Sequence, residues 1–214
     1  MTPAAGTVRR GTAGHAAPDH RAAPMVGGMR NVVVIGCTGA GKTTFARRLA
    51  AVLGGTHIEL DAIYHQPGWK PLDNASFQAT LRARMASSPH GWVTCGNYNA
   101  QTGDVHLARA DTLIWLDPPR SVVMWRVITR TLWRAITRKQ LWNGNHEPLS
   151  NLYRWDPEVN VIRWAWTKWP HHRERNARRL TDGTWDHLDV HRLTSDAEVD
   201  AFLAEARVSA AQPR

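Results

Sequence analysis

An eight-residue loop, Gly36 to Thr43, limits the folds open to this chain more than any other segment. It reads GCTGAGKT and fits the pattern GxxxxGK[ST], in which glycines let backbone N–H groups close around phosphates. Residues 31–35 before it are a β-branched run typical of a strand buried on both faces. Residues 42–53 after it carry apolar side chains at helical spacing. This order of strand, loop and helix predicts a phosphate-binding P-loop.

The chemistry of the loop predicts ATP and Mg²⁺ as its ligands. Lys42 can reach the terminal phosphates, and the Thr43 hydroxyl can ligate the metal. The helix that begins here adds the positive end of its dipole. The residues expected to contact the nucleotide are Gly36, Thr38, Gly39, Ala40, Gly41, Lys42, Thr43 and Thr44.

Length and cysteine content are those of one ordinary α/β domain. The 214 residues can bury a single core, and with only Cys37 and Cys95 no disulfide framework is expected. The low cysteine content favours a reducing, cytoplasmic setting. No apolar run approaches the roughly 18 residues of a membrane span, so we expect a soluble protein. We divide the chain into a disordered extension (1–28), a P-loop kinase-like domain (29–206) and a flexible tail (207–214). The extension is consistent with a start codon upstream of Met29 or with a transit peptide.

Alternating patterns predict five strands and five helices. The strands are expected at about 31–35, 56–60, 92–95, 112–116 and 187–193. The helices are expected at 42–53, 74–85, 118–137, 157–180 with a break near Pro170, and 196–206. This order favours a three-layer α/β fold with a mostly parallel five-stranded sheet. Asp117 is interpreted as a helix N-cap rather than a metal ligand, and Ser195 with Glu198 as a capping box.

Ligands bind at the carboxyl ends of parallel strands, so the residues that follow each strand are candidates for the site. Asp61 follows the second strand and could accept the proton of an acceptor hydroxyl, although an Asp that caps a loop would look the same. His65, Trp69 and Lys70 lie in the next loop and could shape an acceptor pocket. Gly96, Asn97 and Tyr98 follow the third strand, either as site residues or as a simple turn.

The net charge of +9 is concentrated in one segment. Residues 118–180 contain 13 Lys or Arg against four acids, and the rest of the chain balances at 14 against 14. Four arginines, spaced by four, line one face of a predicted helix: Arg126, Arg130, Arg134 and Arg138. The segment could form an Arg-rich lid that stabilises transferring phosphate, contact nucleic acid, or simply be a solvated face. The first of these is favoured.

Together these motifs resemble the small bacterial kinases related to adenylate kinase, some of which are labelled topology modulation proteins. The resemblance covers about residues 29–206 and rests on the P-loop, LDAIYHQPGW, CGNY, IWLDPPR and the terminal HRL strand. It implies a P-loop kinase fold with a helical lid at about 138–156. Asp61 would serve the acceptor and Gly96 with Asn97 the floor of the site; we also assign Tyr64, Trp69 and Tyr98 to substrate binding.

One residue departs from the pattern of that family. The GNY turn usually follows an Asp that helps hold Mg²⁺ through water, and here Cys95 stands in its place. A thiol is a poor ligand for Mg²⁺, so either Asp61 or Glu59 supplies the carboxylate, or phosphoryl transfer is weakened. A nucleophilic Cys95 is disfavoured. Residues 141–147, both polar and Trp-anchored, are interpreted as lid or acceptor contacts, with an Asn-Gly turn as the alternative.

The leading hypothesis is an ATP-dependent phosphotransferase that moves the γ-phosphoryl group to a small acceptor, most simply a nucleoside or nucleotide. Lys42 and the four arginines would stabilise the transferring charge, and Asp61 would orient the acceptor. One alternative is a nucleotide-binding regulator that contacts nucleic acid through its basic segment. Another is a kinase for a non-nucleotide metabolite, which would share nearly every residue with the first hypothesis.

Overall fold

The computed structural model of the chain describes residues 28–146 and 160–211. Most of the predicted extension (1–28), much of the predicted lid (138–156) and the last three residues lie outside these ranges. Within them, no helix combines the length and the apolar character that crossing a membrane requires.

The described strands are β1 (Asn31–Gly36), β2 (Thr56–Glu59), β3 (His65–Gln66), β4 (Lys70–Pro71), β5 (Trp92–Cys95), β6 (Thr112–Leu116) and β7 (Asp189–Leu193). The described α-helices are α1 (Lys42–Leu53), α2 (Leu60–Tyr64), α3 (Asn74–Ala86), α4 (Asn99–Thr102), α5 (Arg120–Thr137), α6 (Val161–Arg179) and α7 (Asp196–Ala211). The five predicted strands are confirmed within two residues at each end. The single turn α2 and the β3–β4 hairpin were not predicted, because segments this short leave no periodic pattern.

Five strands form one parallel sheet in the order β2-β5-β1-β6-β7. This arrangement confirms the predicted α/β class. The strand that leads into the P-loop is central, with β5 on one side and β6 on the other. The phosphate loop and the ends of β2 and β5 therefore meet at one edge, as expected for parallel strands.

Helices cover both faces of the sheet and give it two cores. Successive residues of β1 alternate between them, with Val34 in one core and Val33 in the other. The first core packs Phe45 of α1 against Phe202 of α7, with ring centroids 6.1 Å apart. The second core contains Phe77 of α3. Central strands buried on both faces explain the continuous β-branched run that predicted them.

Asp117 corrects one prediction. Helix α5 begins at Arg120 and has no side-chain cap, so the interpretation of Asp117 as an N-cap was wrong. Its carboxylate is buried and accepts hydrogen bonds from Nε of Arg173 at 3.1 Å and from Nε of Arg192 at 3.0 Å. These arginines lie on α6 and β7, far away in sequence, so local spacing carried no sign of the pairing. Asp117 ties the basic helix α6 to the sheet.

The predicted break near Pro170 is also wrong, because α6 continues through this residue. Pro170 has no N–H with which to bond the carbonyl of Trp166, four residues earlier. The Arg120 guanidinium donates to that carbonyl at 2.8 Å and lies 3.4 Å from the Trp166 ring centroid. A side chain from α5 thus replaces the missing helical hydrogen bond.

The start of α7 follows the predicted capping pattern with one change. Ser195 Oγ accepts from the Glu198 N–H at 3.2 Å, while the Glu198 carboxylate accepts from the Thr194 N–H at 2.7 Å. Helix α7 then continues to Ala211, beyond the predicted end at residue 206. The segment assigned to a flexible tail therefore begins as helix.

Candidate functional site

The P-loop joins the central strand β1 to α1 in a conformation that glycine permits. Gly39 has φ +83°, and a Cβ placed there would lie 2.5 Å from Cγ2 of Val127. Gly41 caps the N-terminus of α1 in the left-handed region with φ 97°. The loop therefore packs tightly beneath α5 and directs the first N–H groups of α1 into the cleft, the arrangement that binds phosphate.

Lys42 lies at the centre of this loop. Its ammonium donates to the carbonyl oxygens of Gly36 and Cys37 at 2.8 and 3.0 Å. Burial lowers the pKa of Lys42, and the negative charge of Asp61 opposes that shift. Asp61 is thus near enough for its charge to act on the P-loop lysine.

Thr43 faces a carboxylate on the neighbouring strand. Its hydroxyl donates to Glu59 Oε1 at 3.0 Å, and the Cys95 sulfur lies 3.9 Å from the same hydroxyl. Glu59 and Cys95 are register partners in β2 and β5. Of the two carboxylates that the sequence offered in place of the usual Asp, it is therefore Glu59 that the structure brings to Thr43. A hydroxyl beside a carboxylate is a hard oxygen pair that suits Mg²⁺.

Cys95 itself is poorly suited to covalent chemistry. Burial raises the pKa of its thiol to about 12, so the thiolate needed for attack is scarce near neutral pH. His57 Nε2 lies 3.3 Å from the sulfur. Burial lowers the pKa of this imidazole, which favours its neutral form, and the charge of Lys42 lowers the pKa of Cys95 less than burial raises it.

Hydrogen bonds link the side chains of Asp61, Tyr98 and His65. Tyr98 donates its hydroxyl proton to Asp61 Oδ1 at 2.5 Å, and His65 Nε2 lies 3.2 Å from the same Tyr98 oxygen. Because a tyrosine has one hydroxyl proton, His65 must be the donor to Tyr98. Burial and the adjacent Asp61 charge raise the pKa of Tyr98, which therefore stays protonated. These hydrogen bonds fix one oxygen of the Asp61 carboxylate.

Gly96 and Asn97 have a supporting position. Asn97 Nδ2 donates to the Gly36 carbonyl at 2.6 Å and so ties the end of β5 to the start of the P-loop. Gly96 has φ +146°, and an added Cβ would lie 2.9 Å from Cβ of Leu60. Neither residue lines the described cleft.

The segment that follows α5 folds back onto the loop after α2. Asn143 and Gly144, both with positive φ, form the tip of a tight turn that the Asn145 N–H closes onto the Trp142 carbonyl at 3.1 Å. Leu141 and Gln140 continue this segment toward α5. The Asn-Gly turn, offered as one alternative for this segment, is present, and Leu141 and Trp142 of the same loop line the cleft.

Two asparagine amides of that turn bind the backbone of the segment after α2. Asn145 is 5% exposed; its oxygen accepts from the N–H groups of Gly68 and Trp69 at 2.8 and 3.0 Å. Its amide nitrogen donates to the Gln66 carbonyl at 3.0 Å. Asn143 donates to the His65 carbonyl at 2.6 Å. We call these two residues the asparagine clamp.

The asparagine clamp brings three aromatic rings together beside Asp61. Trp142 stacks on His65 with centroids 5.7 Å apart, and Trp69 meets both rings edge-on, at 5.1 Å from His65 and 6.3 Å from Trp142. These rings form what we call the acceptor wall. Tyr64 packs behind it against Tyr98, with centroids 4.8 Å apart. The sequence placed each residue in the site region but contained no sign that distant segments would join.

The four arginines predicted to share one helix face, Arg126, Arg130, Arg134 and Arg138, are here called the arginine stripe. The first three lie on α5 along one side of the site. Arg126 forms a salt bridge with Asp196 at 2.6 Å and also lines the cleft, as do Arg130 and Arg134. The Arg134 guanidinium lies 6.0 Å from the Trp142 ring centroid. Arg138 is not among the described lining residues, because α5 ends at Thr137 and Arg138 turns into the left-handed region.

The P-loop, Asp61, the acceptor wall and three arginines of the stripe, Arg126, Arg130 and Arg134, line one open cleft of about 1060 Å³. This volume is ample for a nucleotide and a small second molecule. The sequence analysis did not single out six of the lining residues: Arg47, Thr129, Trp133, Lys139, Gln140 and Val161. Arg47 lies one helical turn after Thr43, a spacing that places both on one face of α1 and could have identified it.

Comparison with known proteins identifies no family for this chain. No protein-family model matches, and no curated protein matches by sequence. Solved structures with a similar fold include a gluconokinase from Sinorhizobium meliloti 1021, with 17% identity, a TM-score of 0.47 and coverage of 85% of this chain and 91% of that one. A shikimate kinase from Acinetobacter baumannii in complex with shikimate has 18% identity, a TM-score of 0.46 and coverage of 85% and 93%. A shikimate kinase from Bacteroides thetaiotaomicron has 13% identity, a TM-score of 0.45 and coverage of 84% and 97%.

Proposed function

We propose that this protein is an ATP-dependent kinase that transfers the γ-phosphoryl group to a hydroxyl of a small acceptor. The observation that carries the proposal is the common cleft of Lys42 and Asp61, in which the carboxylate lies near enough to influence the pKa of the lysine. A P-loop alone supports binding or hydrolysis of nucleotide. A carboxylate facing it from the end of the next strand adds a place for an acceptor hydroxyl.

Each residue then has a defined task. The P-loop N–H groups and Lys42 would hold the β- and γ-phosphates, and Arg130 and Arg126 would stabilise charge along them. Tyr98 occupies Oδ1 of Asp61, which leaves Oδ2 to accept the proton of the acceptor hydroxyl. The acceptor wall would orient the acceptor and exclude water from the transfer, which favours a kinase over an ATPase.

Thr43 and Glu59 would hold Mg²⁺, Thr43 directly and Glu59 directly or through water. Bound there, the metal would neutralise charge on the phosphates. The contact of 3.0 Å between Thr43 Oγ1 and Glu59 Oε1 supports this assignment, as does the hard character of both oxygens. Glu59 would then take the role of the Asp that usually precedes the GNY turn in the kinases that the sequence resembles. Mg²⁺ binding would therefore not require a carboxylate at position 95.

The acceptor that fits the sequence resemblance is a nucleoside or nucleotide, which would present a sugar hydroxyl to Asp61. A non-nucleotide metabolite with a hydroxyl would use the same Asp61 and the same P-loop. A regulator that binds nucleic acid through its basic segment is the outcome to expect if nucleotide binds without any acceptor-dependent turnover.

The test is release of ADP from Mg-ATP by the full chain, with and without pools of nucleosides, nucleoside monophosphates and hydroxylated metabolites. Lys42→Ala should lower acceptor-dependent release about a hundredfold or more, because the transferring charge loses its buried cation. Lys168→Ala removes an exposed lysine outside the cleft and should act like the wild type. Equal activity of Lys42→Ala and Lys168→Ala would overturn the proposal. ATP binding with salt-sensitive nucleic-acid binding and no ADP release would favour the regulator.

A further inference from the structure

Three members of the arginine stripe, Arg126, Arg130 and Arg134, lie at successive positions along the cleft. The end of α5 nearest the P-loop carries Arg126, whose Nη1 lies 3.8 Å from the position that a Cβ on Gly41 would occupy. Arg130 is close enough to Lys42 for its charge to lower the pKa of the lysine. Arg134 lies beside Trp142 of the acceptor wall. Each arginine therefore lies about one helical turn further from the phosphate loop than the one before it.

The three arginines are spread along the helix, so their backbones stand over different parts of the cleft. Arg126 and Arg134 are eight residues apart on α5, which is about 12 Å along a helix axis at 1.5 Å per residue. Arg126 is at the P-loop, and Arg130 is near the lysine that meets the terminal phosphates. Arg134 is therefore placed at the far side of the transfer point, where the acceptor would lie.

A second cation strengthens the charge at this end. Lys139 lines the same cleft, with its ammonium 4.9 Å from the Trp133 ring centroid. The described lining contains six basic side chains and two carboxylates. Both carboxylates lie at the carboxyl end of β2: Glu59 is its last residue, and Asp61 follows in α2. Glu59 accepts from Thr43, and Asp61 accepts from Tyr98. At the acceptor end the two cations Arg134 and Lys139 outnumber the single carboxylate of Asp61, and an electropositive surface attracts and orients an anion.

Resting on the kinase function proposed above, we infer that the acceptor is itself an anion: a small alcohol that carries a carboxylate or a phosphate group. Its hydroxyl meets Asp61, its anionic group meets Arg134 and Lys139, and its carbon skeleton lies against the acceptor wall. A nucleoside monophosphate and a sugar acid both satisfy this description, whereas an uncharged nucleoside or sugar does not. The carboxylate and the phosphate share the geometry that a planar guanidinium recognises.

The inference is tested with matched pairs of acceptors that differ in charge. Uridine is compared with UMP, and glucose with gluconate and glucose 6-phosphate, each with saturating Mg-ATP. The anionic member of at least one pair should have a kcat/KM at least tenfold above that of its neutral partner. The better of the phosphate and carboxylate forms identifies the anionic group.

Variants then assign the effect to the acceptor end. Arg134→Gln should raise KM for the anionic acceptor about tenfold to a hundredfold, because a charge-assisted hydrogen bond is lost, and should leave KM for ATP unchanged. Arg134→Lys should restore part of the loss. Lys139→Gln should have a similar but smaller effect. Arg84→Gln removes an exposed arginine of α3, outside the cleft, and serves as the matched control.

Two results would overturn the inference while leaving the kinase function intact. One is Lys42-dependent turnover of a neutral acceptor at the same kcat/KM as its anionic partner. The other is an Arg134→Gln variant with unchanged KM for the anionic acceptor, or with equal increases in KM for the anionic and neutral members. If turnover did not depend on Lys42, the proposed kinase function itself would be contradicted.

Discussion

The two ends of the cleft are built in different ways. The phosphate end is built around eight consecutive residues, Gly36 to Thr43, at the junction of β1 and α1, where the P-loop backbone offers its N–H groups. The acceptor end is formed by side chains that are distant in sequence. The asparagine clamp joins residues 142–146 to residues 61–69, and Tyr98 is joined through its hydrogen bond to Asp61. Arg134 and Lys139 complete this end. A local motif can specify phosphate binding by itself, whereas acceptor choice depends on tertiary structure. Changes at the acceptor end should therefore alter specificity without abolishing nucleotide binding.

The largest effect separating the two ends is expected for Asp61→Asn. The amide cannot accept the acceptor proton as a base, so kcat should fall roughly 10²- to 10⁴-fold. Binding of Mg-ATP, measured by calorimetry, should stay within about threefold because the P-loop is unchanged. Asp104→Asn, an exposed change outside the cleft, is the control. Full activity in Asp61→Asn would remove the carboxylate from the mechanism.

At the phosphate end, Glu59→Gln should weaken the metal site. We expect the Mg²⁺ concentration for half-maximal activity to rise about tenfold to a hundredfold, because a partner of the metal loses its charge. KM for the acceptor should not change. Glu205→Gln, which is exposed on α7, provides the control. An unchanged Mg²⁺ dependence would exclude Glu59 as the substitute for the carboxylate missing at position 95.

The asparagine clamp is expected to affect only the acceptor end. Asn145→Ala removes the three hydrogen bonds that this buried amide makes with Gly68, Trp69 and Gln66, so the free energy of unfolding should fall by about 1–3 kcal/mol. KM for the acceptor should rise while KM for ATP stays constant. The exposed change Asn74→Ala should leave both unchanged. A parallel rise in the two KM values would mean that the clamp holds the whole cleft and not one end.

The smallest effect is expected for Tyr98→Phe. This change removes one hydrogen bond to Asp61 and keeps the ring in its aromatic packing, so kcat should fall only about two- to tenfold. The measurement is steady-state turnover at saturating ATP and acceptor. A decrease as large as that of Asp61→Asn would show that Tyr98 takes part in proton transfer and does more than position the carboxylate.

The sequence predicted what is locally encoded. The strand β1 and the helix α1 were identified because burial on both faces and helical periodicity leave contiguous patterns. Asp61 was found because parallel strands place their following residues at one edge. In the same way, the alternative that Glu59 replaces the missing Asp could be framed from the sequence, although only the contact with Thr43 distinguishes it from Asp61.

What the sequence could not provide are pairings between distant residues. Asp117 was misread as a cap because its partners, Arg173 and Arg192, lie on other elements. Pro170 was expected to break its helix, since the arginine that satisfies the Trp166 carbonyl comes from α5. For the same reason the sequence could indicate the individual residues of the acceptor wall as candidates but could not predict that their rings pack against one another.

The central claim is that the two ends of the cleft act together to transfer a phosphoryl group. The most direct measurement follows the label of ATP carrying a radioactive γ-phosphate, incubated with the wild-type protein, Mg²⁺ and the acceptor pools. Our account predicts that the label appears in an acceptor and that inorganic phosphate stays near background. Label found only in inorganic phosphate, or retained in ATP with every acceptor pool, would contradict it.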